Sequence, residues 1–105
     1  MADGLEAALK ERLRAVLDGQ PATEAELRKL FEEGRACERI LTTQLEHVER
    51  ELEALDADPH SSVAELADAV RQAGDLRPRL AELETLLGRL DERARSFRAA
   101  WLGRG

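Results

Sequence analysis

The stretch from residue 23 to residue 56 constrains the fold most, because an apolar stripe runs along its whole length. With one residue, Leu30, treated as a flank position, apolar or small residues recur at gaps of three or four, which keeps them on one helix face. The positions between them are mostly helix-forming Glu, Arg, Lys and Gln. The stripe comprises Leu27, Leu30, Phe31, Gly34, Cys37, Leu41, Leu45, Val48, Leu52 and Leu55.

Capping residues and prolines mark both ends of this helix. Thr23 and Glu26 have the spacing of a capping box, and Pro21 keeps the residues before it out of the helix. Pro59 cannot continue a helix and restricts the residue before it. The sequence therefore predicts one helix at about residues 24–56, roughly 50 Å long.

A short helix is predicted before it, at about residues 4–18. Asp3 and Glu6 are spaced as a capping pair, and Gly19 suits the left-handed position that follows a helix. A helix of this length is marginal alone. We therefore expect it to pack against the rest of the protein rather than on a membrane surface, since its polar face mixes acidic and basic residues.

A third helix is predicted at about residues 63–102, after a turn at 57–62. Ser62 and Glu65 form its capping pair. Gly74 and Pro78 disfavour helix within it, so we expect a kink or a break at residues 74–78; one continuous helix, kinked near Gly74, is the alternative. Beyond this point the seam is a regular heptad pattern, and Gly88 beside it would permit close approach. The seam comprises Leu80, Leu83, Leu87, Leu90, Ala94, Phe97 and Trp101.

The short turn makes the two long helices antiparallel neighbours. Equal rise then places Val48 opposite Val70. Phe97 and Trp101 extend past the start of the central helix, so we expect the first helix to cover them with Leu9, Leu13 and Val16. The predicted fold is all-α: one domain, a long antiparallel coiled-coil-like hairpin whose short N-terminal helix closes a three-helix end.

Composition agrees with this fold and narrows the function. The chain has 105 residues, of which 36% are charged and 3% aromatic, as in coiled coils and bundles. The net charge of -6 argues against a nucleic-acid partner. A single cysteine excludes an internal disulfide, and no apolar run reaches the ~20 residues of a membrane span. We expect the protein in the cytoplasm, with the nucleus as the alternative.

No group of residues indicates catalysis, a cofactor or a metal. Cys37 falls on the apolar stripe, where we expect a buried structural thiol. His47 lacks a second histidine at metal-binding spacing, and His60 is expected to be exposed in the turn. Glycine-rich phosphate loops and nucleophile motifs are missing from the sequence. We expect a protein that is not an enzyme.

Charge is unevenly distributed along the chain. From residue 76 onward seven arginines accompany four acids, a net +3, while the earlier residues carry -9. These arginines indicate either a basic binding surface or, as we favour, a face lying beside acids of the central helix. The arginines concerned are Arg89, Arg93, Arg95 and Arg98, and the acids are Glu32, Glu33 and Glu38.

The leading functional hypothesis is a non-catalytic subunit that assembles through coiled-coil packing, as a homo-oligomer or in a larger complex. Cytoskeletal, centrosomal, kinetochore and membrane-trafficking scaffolds are of this type. The alternative is a regulatory module, such as a helical co-chaperone, that docks a folded partner through its charged face. Apolar flank positions outside a narrow hairpin seam would need a partner. The interface candidates are Leu30, Ile40, Ala67, Leu86, Arg89, Arg93 and Trp101.

Overall fold

Three α-helices make up the regular structure of the part of the chain that the structure describes. The computed structural model describes residues 2–103, with side chains from residue 4 onward, and within that part of the chain there is no strand. Helix α1 spans Ala2–Leu17, α2 spans Glu24–Ala57 and α3 spans Val63–Leu102. The predicted all-α class is confirmed. The proposed cap by Asp3 lies outside the described side chains.

Local signals set the helix ends as the sequence predicts. Thr23 Oγ1 accepts a hydrogen bond of 3.1 Å from the Glu26 N–H, and Ser62 Oγ accepts one of 3.0 Å from the Glu65 N–H. Each cap satisfies a backbone donor that the first turn leaves free. At the end of α1, Gly19 has φ 109°. The backbone there closes a Schellman motif, since the N–H of residue 20 donates to the carbonyl of residue 15 at 3.0 Å.

Helix α3 is continuous through residues 74–78, with Pro78 inside it. Pro78 has no N–H to offer the carbonyl of Gly74, so one bond of the helical ladder is missing there. The sequence left open a kink or break at residues 74–78 or one continuous helix. The structure has one continuous helix with no break. Ala73, Leu76 and Leu80 are all buried, which holds α3 in place on both sides of the proline.

The chain forms two compact units, and the first contains α1, the start of α2 and the end of α3. All three segments contribute buried leucines, so the predicted three-helix end exists. Gly34 of α2 makes the close approach that was expected of Gly88. A Cβ on Gly34 would overlap Leu87 of α3, whereas nothing lies within 4 Å of a Cβ on Gly88. The core of this unit comprises Leu9, Leu13, Leu30, Leu83, Leu86, Leu87 and Leu90.

The second unit, residues 38–82, is an antiparallel hairpin of the remaining parts of α2 and α3. Its register differs from the prediction. Val48 is buried as expected, but Val70 is 56% exposed, and Ala69 at 2% takes the inward position instead. The physical reason is that the buried stripe of α3 runs through Ala69 and Ala73, whose small side chains let the two helices approach closely.

Candidate interaction surface

The exposed end of α3 is the most conspicuous surface of the first unit. Leu90 is 3% exposed, but Phe97, two turns later on the same seam, is 71% exposed and Trp101 is 69% exposed. The prediction that Leu9, Leu13 and Val16 would cover these aromatics is therefore wrong. We call residues 94–102 the tail; at 1.5 Å per residue it is about 13 Å long.

The position of α1 explains why the tail is uncovered. The short link through Gly19 turns the chain back, so α1 lies antiparallel to α2 and runs in the same direction as α3. Arg93 Nη1 donates to the carbonyl oxygens of Val16 and Leu17, at 2.9 and 2.6 Å. The last turn of α1 thus lies level with Arg93. The buried leucines of α1, Leu9 and Leu13, pack beside earlier residues of α3. Helix α1 therefore ends before it reaches the aromatics of the tail.

The tail has an apolar face with arginines on its flanks. Ala94, Phe97 and Trp101 are spaced by three and four residues, so they share one face and extend the seam that buries Leu90. At ~100° per residue, Arg93 and Arg98 fall on opposite sides of that face. No acidic residue occurs between residues 93 and 103. The tail is therefore an amphipathic helix end that is aromatic on one face and basic at the edges.

The four arginines that were expected to lie beside acids of the central helix, Arg89, Arg93, Arg95 and Arg98, do not pair with those acids. Glu33 instead bonds Arg12 of α1 at 2.6 Å, while Arg95 pairs within its own helix with Asp91 at 2.8 Å. Arg93 caps the C-terminal carbonyls of α1, where the helix dipole favours a cation. Arg89 and Arg98 are exposed, and neither has a hydrogen-bond or ion-pair partner within residues 2–103. Arg89 and Arg98 thus remain available at the surface.

Two of the predicted interface residues are buried in the three-helix core. Leu30 and Leu86 are each 6% exposed, so their assignment to an exposed flank is wrong. In a two-helix stalk such flank positions face solvent, but here each helix packs against two neighbours, which widens its buried face. The remaining apolar candidates are accessible: Ile40 is 59% exposed, and Ala67 is also exposed.

A second apolar face lies on α3 within the hairpin unit. Val63, Ala67 and Val70 are spaced by four and three residues, and all three are exposed. We call them the hairpin stripe. Sequence reasoning identified Ala67 but assigned Val70 to the buried seam and did not single out Val63. The three-residue step from Leu66 to Ala69, which starts the true seam, leaves Val63 and Val70 on the adjacent face.

Acidic residues of α2 border this stripe. Arg77, two turns after Val70 and on the same edge of α3, lies 3.8 Å from Glu49 of α2. That contact places the Glu49 edge of α2 alongside the stripe. Glu53 and Asp56 follow at helical spacing on this edge, and both are exposed. Residues 38–82 hold eleven acids and five bases, so the hairpin unit carries -6 and the other residues sum to zero.

An open groove of about 580 Å³ lies between α1 and the start of α2. The charged residues that line it are two acids, Glu11 and Glu26, and two bases, Arg12 and Lys29, so their charges balance. It contains neither histidine nor cysteine. Ala8, Ala15, Val16, Gln20, Pro21, Ala22 and Leu30 complete the lining.

The other predicted features are placed as follows. Cys37 is half-buried, rather than the fully buried thiol that was expected, and His60 is exposed in the turn. Within residues 2–103, no three His, Cys, Asp or Glu side chains converge to hold a metal ion. None of the helices in the same range is both long enough and apolar enough to cross a bilayer. Comparisons with protein-family models, curated proteins and solved structures find no match to the chain.

Proposed function

We propose that this protein is a non-catalytic helical subunit that assembles with a protein partner through helix–helix packing, in the cytoplasm or the nucleus. The observation that carries the proposal is the tail. The apolar seam of α3 continues for two turns past its own core, with Phe97 and Trp101 about 70% exposed. Contiguous exposed apolar surface of this kind marks protein interaction sites.

The side chains of the tail suit an interface. Phe and Trp each bury about 150–250 Å² when covered, and Trp is enriched among residues that dominate binding energies. The base of the tail is fixed, because Arg93 is bonded to the last carbonyls of α1. A partner helix would therefore meet a preorganised surface, which lowers the entropic cost of association. Cytoskeletal, centrosomal, kinetochore and trafficking complexes assemble from helices of this kind.

A second candidate is a regulatory module that docks a folded partner through its charged face. Arg89 and Arg98 favour it, since both are exposed without a partner within residues 2–103. Substitutions separate the two functions. If the protein is a helix-packing subunit, Phe97→Ala should abolish partner binding and Arg89→Ala should leave it nearly unchanged. If it is a charge-docking module, Arg89→Ala should abolish partner binding.

Site-specific crosslinking in the native cell tests the leading function. Trp101→benzoylphenylalanine places a photoreactive ring on the apolar face of the tail. Ala99→benzoylphenylalanine is the matched control, because Ala99 is exposed on the opposite face of the same helix turn. We expect a discrete adduct from position 101 and little from position 99. Equal adducts from both positions, or none from either, would refute assembly through this face.

A further inference from the structure

We infer that the partner of the tail is a second copy of this chain, bound through the hairpin stripe and the acidic edge of α2. The inference rests on the proposed function and specifies its partner. Both surfaces are exposed in the single chain, so the chain does not cover either one by itself. Each offers what the other lacks: aromatic bulk with arginines on the tail, and a shallow apolar strip beside carboxylates on the hairpin.

The two faces match in geometry. The tail presents apolar residues at gaps of three and four through Ala94, Phe97 and Trp101. The hairpin stripe presents gaps of four and three, with Val63 83% exposed and Val70 56% exposed. Stripes with these periods pack side by side along two helices, with large side chains of one entering spaces around small side chains of the other. Ala67, at the centre of the stripe, provides such a space.

Charge also favours the hairpin over a second tail. Pairing two tails would bring arginines against arginines at both edges, because residues 93–103 contain three arginines and no acid. Docking on the hairpin instead allows the Arg98 flank of the tail to lie near an edge that carries Glu49, Glu53 and Asp56. This unit holds the whole net charge of the protein, -6. Charges at an interface rim set orientation and suppress wrong partners.

The contact is of unlike surfaces, so it has a specific consequence for assembly. When one tail binds one hairpin, the other tail and the other hairpin of the pair can bind each other or further copies of the chain. Such heterologous contacts either close into a ring, the smallest being a dimer with two reciprocal contacts, or extend into open chains. The two aromatics cover about 300–500 Å², below the ~800 Å² per partner of a standard stable interface. The self-association is therefore weak and depends on concentration.

Sedimentation equilibrium of the purified full chain tests this inference. Wild type should show an average mass that rises with concentration above that of the monomer, and this rise should be smaller at high salt. Phe97→Ala with Trp101→Ala blocks the tail, and Val63→Lys with Val70→Lys blocks the hairpin. Each double variant should weaken association by about 30-fold or more. Gln72→Lys, which adds a positive charge on another exposed face of α3, should associate like wild type.

Mixing the two blocked variants is the decisive experiment. The tail-blocked chain retains its hairpin and the hairpin-blocked chain retains its tail, so the 1:1 mixture should contain a complex of two chains that neither variant forms alone. Circular dichroism should show the same helix content in every variant, because all four positions are exposed. A mixture that stays monomeric while wild type associates would overturn the tail-to-hairpin contact.

Two further outcomes separate this inference from the proposed function. If wild type stays monomeric up to about millimolar concentration, where even weak association is detectable, the second copy is excluded as the partner. The proposed function still stands in that case if position 101 crosslinks to a different protein in the cell. If neither self-association nor a position-specific crosslink is found, both proposals fail.

Discussion

The contact between Gly34 and Leu87 predicts opposite effects for the same substitution at two helix glycines. Gly→Ala inside a helix normally gains about 1 kcal/mol of stability. Gly88 meets that condition, since nothing lies within 4 Å of the position that an added Cβ would occupy. At Gly34 the new methyl would overlap Leu87 Cδ2 and lie 3.3 Å from Cγ. Leu87 is 3% exposed, so its neighbours prevent it from moving aside.

Overpacking of a filled core costs about 1–3 kcal/mol. Helix propensity is common to both sites, so the difference between the two variants isolates this cost. We expect Gly34→Ala to be less stable than Gly88→Ala by about 1–3 kcal/mol. At ~2.1 cal/mol/K of unfolding entropy per residue, this lowers its Tm relative to Gly88→Ala by roughly 5–14 °C for 105 residues.

Urea unfolding followed by circular dichroism measures the difference, and Leu87→Ala supplies the control. Removing the Leu87 side chain removes the obstacle. In that background Gly34→Ala should stabilise by about 1 kcal/mol, as it does at an open site. If Gly34→Ala raised the stability of the wild-type background as much as Gly88→Ala does, the close packing of α2 on α3 in the first unit would be refuted.

Three further predictions concern the core, the fixed base of the tail and the cap of α2. Leu13→Ala should lower the free energy of urea unfolding by about 3–5 kcal/mol, while Trp101→Ala should change it by less than ~0.5 kcal/mol; equal losses would contradict the exposed tail. Arg93→Ala should cost about 0.5–1.5 kcal/mol through its lost bonds to α1, and Arg95→Ala close to nothing, measured by the same unfolding; a neutral Arg93→Ala would show that the carbonyl contacts do not stabilise α1. Thr23→Ala should cost about 1 kcal/mol and increase amide hydrogen exchange in the first turn of α2, and an unchanged exchange rate would count against the cap.

Part of the candidate surface was predictable from the sequence. Ile40 and Ala67 were assigned to flanks outside a narrow seam, and both are exposed. The excess of arginine near the end was visible in the charge count. Trp101 was named as an interface candidate but was placed on the seam and expected to be covered by α1. Val63 and Val70 were missed because alternative stripes one position apart fit the same sequence almost equally well. The length of the link around Gly19 held a usable signal: a short link forces α1 back along α2, which stops it short of the tail.

The sequence by itself determined where the helices begin and end, because those signals act within a single turn. Thr23 and Ser62 cap their own helices, and Gly19 ends α1 through its own backbone conformation. Tertiary structure decided which apolar residues are buried, since burial depends on where neighbouring helices end. Leu86 is buried in the three-helix core, whereas Trp101, on the same helix, lies past the last turn of α1 and stays exposed.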